Sequence, residues 1–455
     1  MARVESDRLT AEAAQPGEPT PAELTVDPTA ATEAARLELP PEIAAQSLGE
    51  YIRAWSARIR SGDSGILPVV LGLAVITVVF EAISPHHVFI SAGNLVNLFQ
   101  QSAVFMVLAM AEGFALLLGE IDLSAGYVAA VGGVIGVQLV QPTTTNWPWW
   151  AAIFGALLAC ALIGAAQGTL ITRFRLSSLV VTLGGLLIFN GVMLILLQLG
   201  PFSGYPSLIG PSNNLQVIYK LMWGTIDPLV GWIGMAALVG ALGLTLWLHD
   251  SRRRRSGLVA PPVGLTVIKI GMMVVVGVTV VAICNINRAN LGTVAGVPWV
   301  VPIVLGILFA WTLLLQRTRY GRYVYAIGGN PEAARRAGIS LARVRTWAFI
   351  LCSLTAGIAG LLYASYLGGM SNNVNGGQLV LYAVAAAVIG GMSLFGGRGK
   401  VIHGVLGGLV IGGIYNGMYL LGLDVKWQLI VTGFVLIGAV TIDSLSRRGV
   451  TVAHV

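Results

Sequence analysis

Stretches of about 20 apolar residues, one after another, constrain this chain more than any other feature. A helix that crosses the roughly 30 Å hydrocarbon core of a bilayer needs about 20 such residues. Twelve stretches qualify, at roughly 66–84, 94–118, 123–140, 149–172, 178–200, 229–248, 264–284, 298–315, 346–366, 379–395, 401–422 and 427–444. Only 10% of the residues are charged, and the mean hydropathy is +0.80. Soluble domains carry about 25% charged residues. These values exclude a water-soluble enzyme. The expected fold is an all-α polytopic membrane protein with about 12 transmembrane helices (10–12 allowed by the boundaries).

Charge then orients the chain. Residues 1–65 hold 11 acidic and 6 basic residues, whereas the remainder holds 9 acidic and 21 basic. The basic excess lies in short loops between apolar stretches, which marks topology and not a nucleic-acid surface. With the N-terminus inside, 17 basic residues fall in inner loops and only Lys220, Arg288 and Lys426 in outer ones. The expectation is therefore cytosolic termini and an even number of crossings. Residues 1–45 are rich in Ala, Glu, Pro and Thr and read as a disordered tail. Residues 46–62 read as an amphipathic helix on the cytosolic leaflet. The membrane domain spans 66–445, and 446–455 form a second cytosolic tail.

Several motifs fail as chemistry. Cys160, Cys284 and Cys352 lie far apart in or beside apolar runs and read as small packing residues. His86, His87, His249 and His403 have no metal-ligand spacing, so no metal and no catalytic residues are assigned. Gly399-Lys400 resembles the end of a phosphate loop, but Val401 follows in place of Ser or Thr. Glycine is abundant, with 58 residues, and Gly404, Gly408 and Gly412 recur every fourth position, a signature of close helix packing in lipid. Two polar, glycine-rich breaks, 119–126 and 390–399, each join two stretches at the inner side. Paired breaks of this kind point to a transporter.

The longest basic inner loop, 317–345, is the most informative segment. Asn330 suits an N-cap and Pro331 the first helical position. Glu332 lies in the first turn, where the helix dipole favours negative charge. Ala333, Ala334, Arg335 and Arg336 are strong helix formers, and Gly338 suits a left-handed stop. The result is a short helix, too short to be stable alone in water, that needs something to dock against.

Glu332-Ala333-Ala334 followed by Gly338 resembles the EAA loop of ABC-importer permeases. The order of Gly119-Glu120-Ile121-Asp122-Leu123-Ser124, then Gly328-Gly329-Asn330-Pro331, then Gly390-Gly391-Met392-Ser393-Leu394-Phe395-Gly396-Gly397 resembles the ribose/xylose class of sugar permeases, above all its xylose branch. The resemblance covers about 66–445. It implies a membrane-spanning permease in the cytoplasmic membrane of a bacterium, paired as a homodimer within the membrane lipid. A cytosolic ABC ATPase subunit would bind the ATP, and an extracytoplasmic sugar-binding protein would deliver the sugar. The chain itself would hold no cofactor. Gly329, Asn330, Glu332, Ala333, Ala334, Arg335 and Gly338 would form the coupling helix. A permease of the same class for another solute (ribose, galactose) and an ion-coupled secondary carrier are the alternatives.

A translocation pathway for a neutral sugar calls for amides, hydroxyls and aromatic faces. Candidates within or beside the stretches are Asn97, Gln101, Asn190 and Asn416, with Glu112, Asp122 and Ser124 near the first break. Capping of the following helix by Glu120 and Asp122 is the plainer reading of those two. Asn372, Asn373, Asn375 and Gln378 fall in an outer loop, where a binding protein would dock.

Overall fold

The structure is a computed structural model describing residues 49–53, 56, 67–143, 145–199, 205–256, 260–289 and 292–452. The tail expected over 1–45 lies outside these. Of the amphipathic helix expected over 46–62, residues 49–53 and 56 are described, and they are helical. The chain divides into two compact units, Ile59–Leu242 with Gly271–Val455 and Met1–Arg58 with Gly243–Ile270.

The helices are α1 (Leu67–Ile83), α2 (Ala92–Leu116), α3 (Ala125–Leu139), α4 (Trp149–Arg173), α5 (Ser178–Gln198), α6 (Asn213–Trp223), α7 (Pro228–Arg255) and α8 (Val263–Asn285). After them come α9 (Val300–Arg317), α10 (Arg319–Gly329), α11 (Pro331–Arg336), α12 (Leu341–Leu367), α13 (Gly376–Ile389), α14 (Val401–Leu420) and α15 (Val425–Val452). Each of the twelve apolar stretches carries a helix. Eight helices among the described residues are long and apolar enough to cross a membrane; α1, α3, α13 and the Val425–Val435 part of α15 are apolar but shorter. The protein is a polytopic helical membrane protein. The crossing expected over 379–395 stops at Ile389, because Gly391 takes φ +106° and turns the chain. The helix α15 runs on through 446–452, into the segment expected as a tail.

Burial separates a core of helices from an exposed wall within the larger unit. The most apolar windows of α2, α12 and α14 are 78%, 72% and 72% buried, against 17% for α5 and 22% for α9. Exposed helices that are apolar on all faces have no place in water; lipid is their solvent. The packing of α14 on α2 uses the glycine stripe. A Cβ at Gly408 would stand 2.6 Å from the Met106 backbone, one at Gly404 would stand 3.0 Å from the backbone of Ala109, and one at Gly412 would overlap the Ser102 side chain. In the smaller unit, Asp250 near the end of α7 accepts from the Thr266 hydroxyl of α8 at 2.8 Å, and Arg254 donates to the same hydroxyl at 3.0 Å.

The connections also depart from the sequence-based expectation. The stretch between the fifth and sixth crossings, expected as loop, contains α6. Its Leu215, Ile218 and Met222 are buried, at the i, i+3, i+7 spacing of an amphipathic helix. Gln100 donates to the Met222 carbonyl at 2.6 Å, and Ser365 bonds both Tyr219 and Met222, so α6 is fastened to α2 and α12. A short antiparallel pair, β1 (Thr225–Ile226) and β2 (Val297–Pro298), ties the connection after α6 to the one before α9.

Candidate functional site

The three glycine-rich segments singled out by sequence meet at one end of the helix bundle. The Gly397 amide donates to the Leu117 carbonyl at 2.9 Å, and the Tyr325 hydroxyl on α10 donates to the Gly399 carbonyl at 2.8 Å. At Gly328, a Cβ would collide with the Leu117 carbonyl and stand 2.5 Å from the Gly397 amide. Glycine at this position lets the end of α10, just before α11, touch the segments after α2 and α13 at once. The sequence marks each segment but not their contact.

The helix α11 has the ends read from its sequence. The Asn330 side chain accepts from the Ala333 amide at 3.0 Å, and Gly338 adopts φ +83°. The Ile339 amide closes the C-terminal turn on the Ala334 carbonyl at 3.1 Å. Ala334 is buried, which seats the helix, whereas Gly329, Glu332, Ala333, Arg335 and Arg336 are exposed. Glu332 pairs with Arg335 at 2.8 Å within the helix, a pair worth little in water. The helix is led in by α10, in a segment expected as loop. Thr318 caps it by accepting from the Gly321 amide at 3.3 Å, and Gly321, Val324 and Ile327 are its buried face. Beside α11, a cleft of about 530 Å³ is lined by Arg175, Arg335 and Arg345 together with Thr172, Leu176 and Leu341.

The first break holds two carboxyls with different tasks. Asp122 is wholly buried and accepts from the Ser124 amide at 3.0 Å and the Ser124 hydroxyl at 2.6 Å. That arrangement fixes the turn just before α3, whose N-cap Ser124 makes no side-chain cap bond, and Gln167 holds the same hydroxyl from α4 at 2.7 Å. Burial raises the Asp122 carboxyl's pKa, and the Ser124 and Cys352 hydrogen bonds oppose the rise. Glu120 does not cap the helix. It pairs instead with Arg345 of α12 at 2.9 Å, with 10% and 31% of the two side chains exposed. Its carboxyl is pushed above the usual range by burial, and Arg345 only partly offsets this.

Removal of Arg345 therefore leaves a largely buried carboxylate without its cation, a change that typically costs about 3–5 kcal/mol when fully buried and less at this exposure. Arg345→Met is expected to unfold in detergent at lower temperature than Glu120→Gln, which removes the charge itself. Because burial raises the Glu120 carboxyl in the folded state, that group's contribution is fully present below its unfolded pKa and is lost as pH rises through the folded value. The Arg345→Met deficit should thus shrink as pH falls toward the ordinary carboxylate range. A deficit independent of pH would show that Glu120 is not the group left behind.

The pathway candidates fall into two groups. Glu112, wholly buried near the end of α2, lies beside Asp122, with Ser124 bonded to the latter. Toward the start of α2, Asn94 donates to Asn416 at 2.9 Å and Asn416 donates to Gln101 at 3.1 Å, an amide chain joining α2 to α14. Asn97 and Asn190 are half-buried and belong to neither group. In the expected outer loop, Asn375 caps α13 by accepting from the Gln378 amide at 3.0 Å.

The xylose transport system permease protein of Escherichia coli K12 is 32% identical over 363 residues, covering 79% of this chain and 87% of that protein. Its namesake in Haemophilus influenzae is 30% identical over 397 residues, covering 86% and 99%. The ribose import permease protein of Escherichia coli K12 is 28% identical over 374 residues, covering 82% and 92%. No solved structure matches. The family described as branched-chain amino acid transport system / permease component matches residues 94–440, from the start of α2 into α15 and so across all three converging segments, and this chain belongs to that family of transport permeases.

Proposed function

We propose that this chain is the membrane-spanning permease subunit of an ATP-driven importer for xylose or a related pentose, working in a bacterial cytoplasmic membrane. The observation that carries the reading is α11: a six-residue helix, capped at both ends, seated by Ala334 with its other residues exposed, directly after the end of α10, where Gly328 meets the segments after α2 and α13. Such a helix converts a push from a partner into movement of the segments that end α2 and α13. The partner is a cytosolic ATPase, which binds the ATP; Gly329–Gly338 is its docking segment, and the arginine-lined cleft beside α11 suits acidic groups on it. The similarity to xylose and ribose permeases supports a sugar as cargo.

In this reading residues 66–445 are the translocation domain, with twelve crossings and both termini cytosolic. The 17-to-3 division of basic residues supports that orientation. Two copies in the lipid form the pore. An extracytoplasmic sugar-binding protein docks at the opposite end, where α6 and the 369–375 turn lie. Residues 1–45 and 446–455 are cytosolic extensions, and 46–62 lies on the inner leaflet.

The test is uptake of labelled xylose, ribose, allose and galactose in a strain lacking its own importers, complemented with this chain and its ATPase and binding protein. Restored uptake of a pentose, abolished by ATP depletion, is the expected result. Uptake that collapses with an uncoupler but survives ATP depletion would replace this reading with an ion-coupled carrier, for which buried Glu112 would be the first suspect. Restoration of a hexose alone would keep the class and change the cargo.

A further inference from the structure

Away from α11, between α2, α12, α13 and α14, opens a cleft of about 140 Å³. Its polar lining includes Gln101, Gln378 and the hydroxyl-bearing rings of Tyr363, Tyr366, Tyr382 and Tyr415. No described residue lining it carries a charge at neutral pH. The rings form an ordered wall. Tyr382 and Tyr415 lie 6.3 Å apart, and Phe105 meets them edge-on at 5.4 and 5.9 Å. The amides are held in place. Gln101 accepts from Asn416, which accepts in turn from Asn94, and Gln378 donates to the Tyr382 hydroxyl at 2.6 Å.

We infer that this cleft is a transit site that selects a neutral, polyhydroxylated solute, a monosaccharide, by tyrosine faces and fixed amides. The inference rests on the proposed sugar-importer reading and deepens it. A monosaccharide has C–H faces, which pack on aromatic rings, and a rim of hydroxyls, which pair with amides and phenols. The cleft offers both kinds of partner. An amino acid brings an ammonium and a carboxylate, and each would enter a site with no opposite charge. Desolvating an unpaired charge costs far more than a neutral hydrogen bond returns. The cleft therefore rejects the cargo that the family's description names, and accepts the cargo named for the sugar permeases. With no charge-assisted bond available, affinity is low, which suits a site that must release its solute.

The experiment uses vesicles holding the full chain with its ATPase and binding protein, and measures labelled xylose carried per ATP hydrolysed. Two variants are compared with wild type at matched folded yield: Tyr382→Phe, which removes a single oxygen, and Gln101→Leu. Loss of one neutral hydrogen bond, about 1 kcal/mol, corresponds to about a fivefold change. A fall of at least about fivefold in both variants is expected. A smaller change in either overturns the transit site while leaving the sugar importer standing. Wild-type vesicles that carry leucine and no sugar overturn both readings. Should Gln101→Leu fail to fold, alkylation of Gln378→Cys decides. The native cysteines among the described residues are buried, so a maleimide reports the new thiol. Labelling slowed by xylose and not by leucine supports the site, and labelling unaffected by xylose overturns it.

Discussion

Glu332→Lys is expected to abolish xylose uptake, by a factor of about one hundred or more, while the protein remains in the membrane at wild-type abundance. The abundance follows from exposure: 64% of the Glu332 side chain is in solvent, and its partner within the chain is Arg335, itself exposed. An exposed pair of this kind contributes about 0–1 kcal/mol. The introduced lysine would also sit in the first turn, where a positive charge opposes the helix dipole at a further cost of about 0.3–1 kcal/mol. These costs fall on α11 and not on the buried body of α2, α12 and α14. Uptake is lost for a different reason. The exposed face of α11 would carry a third cation beside Arg335 and Arg336 with no acidic residue among them, and a surface fitted to Glu332 would be repelled. Glu332→Gln, which keeps the shape and drops the charge, should retain part of the activity. Initial uptake rates at matched membrane protein levels measure both. Normal uptake by Glu332→Lys would end the assignment of α11 as the coupling helix.

Gly408→Leu is expected to prevent accumulation of folded protein. Its Cβ would stand 2.6 Å from the Cα and amide nitrogen of Met106, and a helix backbone cannot rotate aside as a side chain can. The helices α14 and α2 would have to part, and the approaches at Gly404 and Gly412 would part with them. Overpacking typically costs about 1–3 kcal/mol, and more where backbone must move, against a total stability of about 5–15 kcal/mol for an ordinary domain. The control is Gly306→Leu on α9, where a Cβ meets no neighbour. Fluorescence-detected size exclusion in detergent should give a greatly reduced main peak for Gly408→Leu and a normal one for Gly306→Leu. Equal peaks would mean that the glycine stripe is not the packing surface.

The bases of these two predictions differ in how plainly the residues announce them. The ends of α11 are legible residue by residue, because capping depends on neighbours within a few positions: Asn330, Pro331, Glu332 and Gly338 each fix a local backbone state. The stripe of Gly404, Gly408 and Gly412 is legible as a packing face, but its partner is not, since spacing reveals which side of a helix is smooth and not what lies against it. Glu120 and Asp122, two residues apart, read alike as caps. In the structure neither caps α3: Glu120 pairs with Arg345, far along the chain, and Asp122 bonds Ser124 in the turn before the helix. Likewise α6 and α10 are concealed in segments that read as loops, although Leu215, Ile218 and Met222, and Val324 and Ile327, stand at helical spacing. Long apolar runs dominate the pattern, and short amphipathic helices between them are too weak a signal by comparison.

Local sequence is enough to set the solvent, the rough extent of the apolar helices, and the short capped helix at 331–336. Each of these rests on local quantities: apolar run length against bilayer thickness, and the backbone preferences of adjacent residues. Packing in three dimensions is what brings the breaks after α2 and α13 and the end of α10 together through Gly328, Leu117 and Gly397. Packing likewise places Gln101, Gln378 and four tyrosines around one uncharged cleft. Those meetings join residues tens to hundreds of positions apart, and they are fixed by which helix faces can approach most closely in lipid, where small residues and satisfied polar groups, not hydrophobicity, choose the partners.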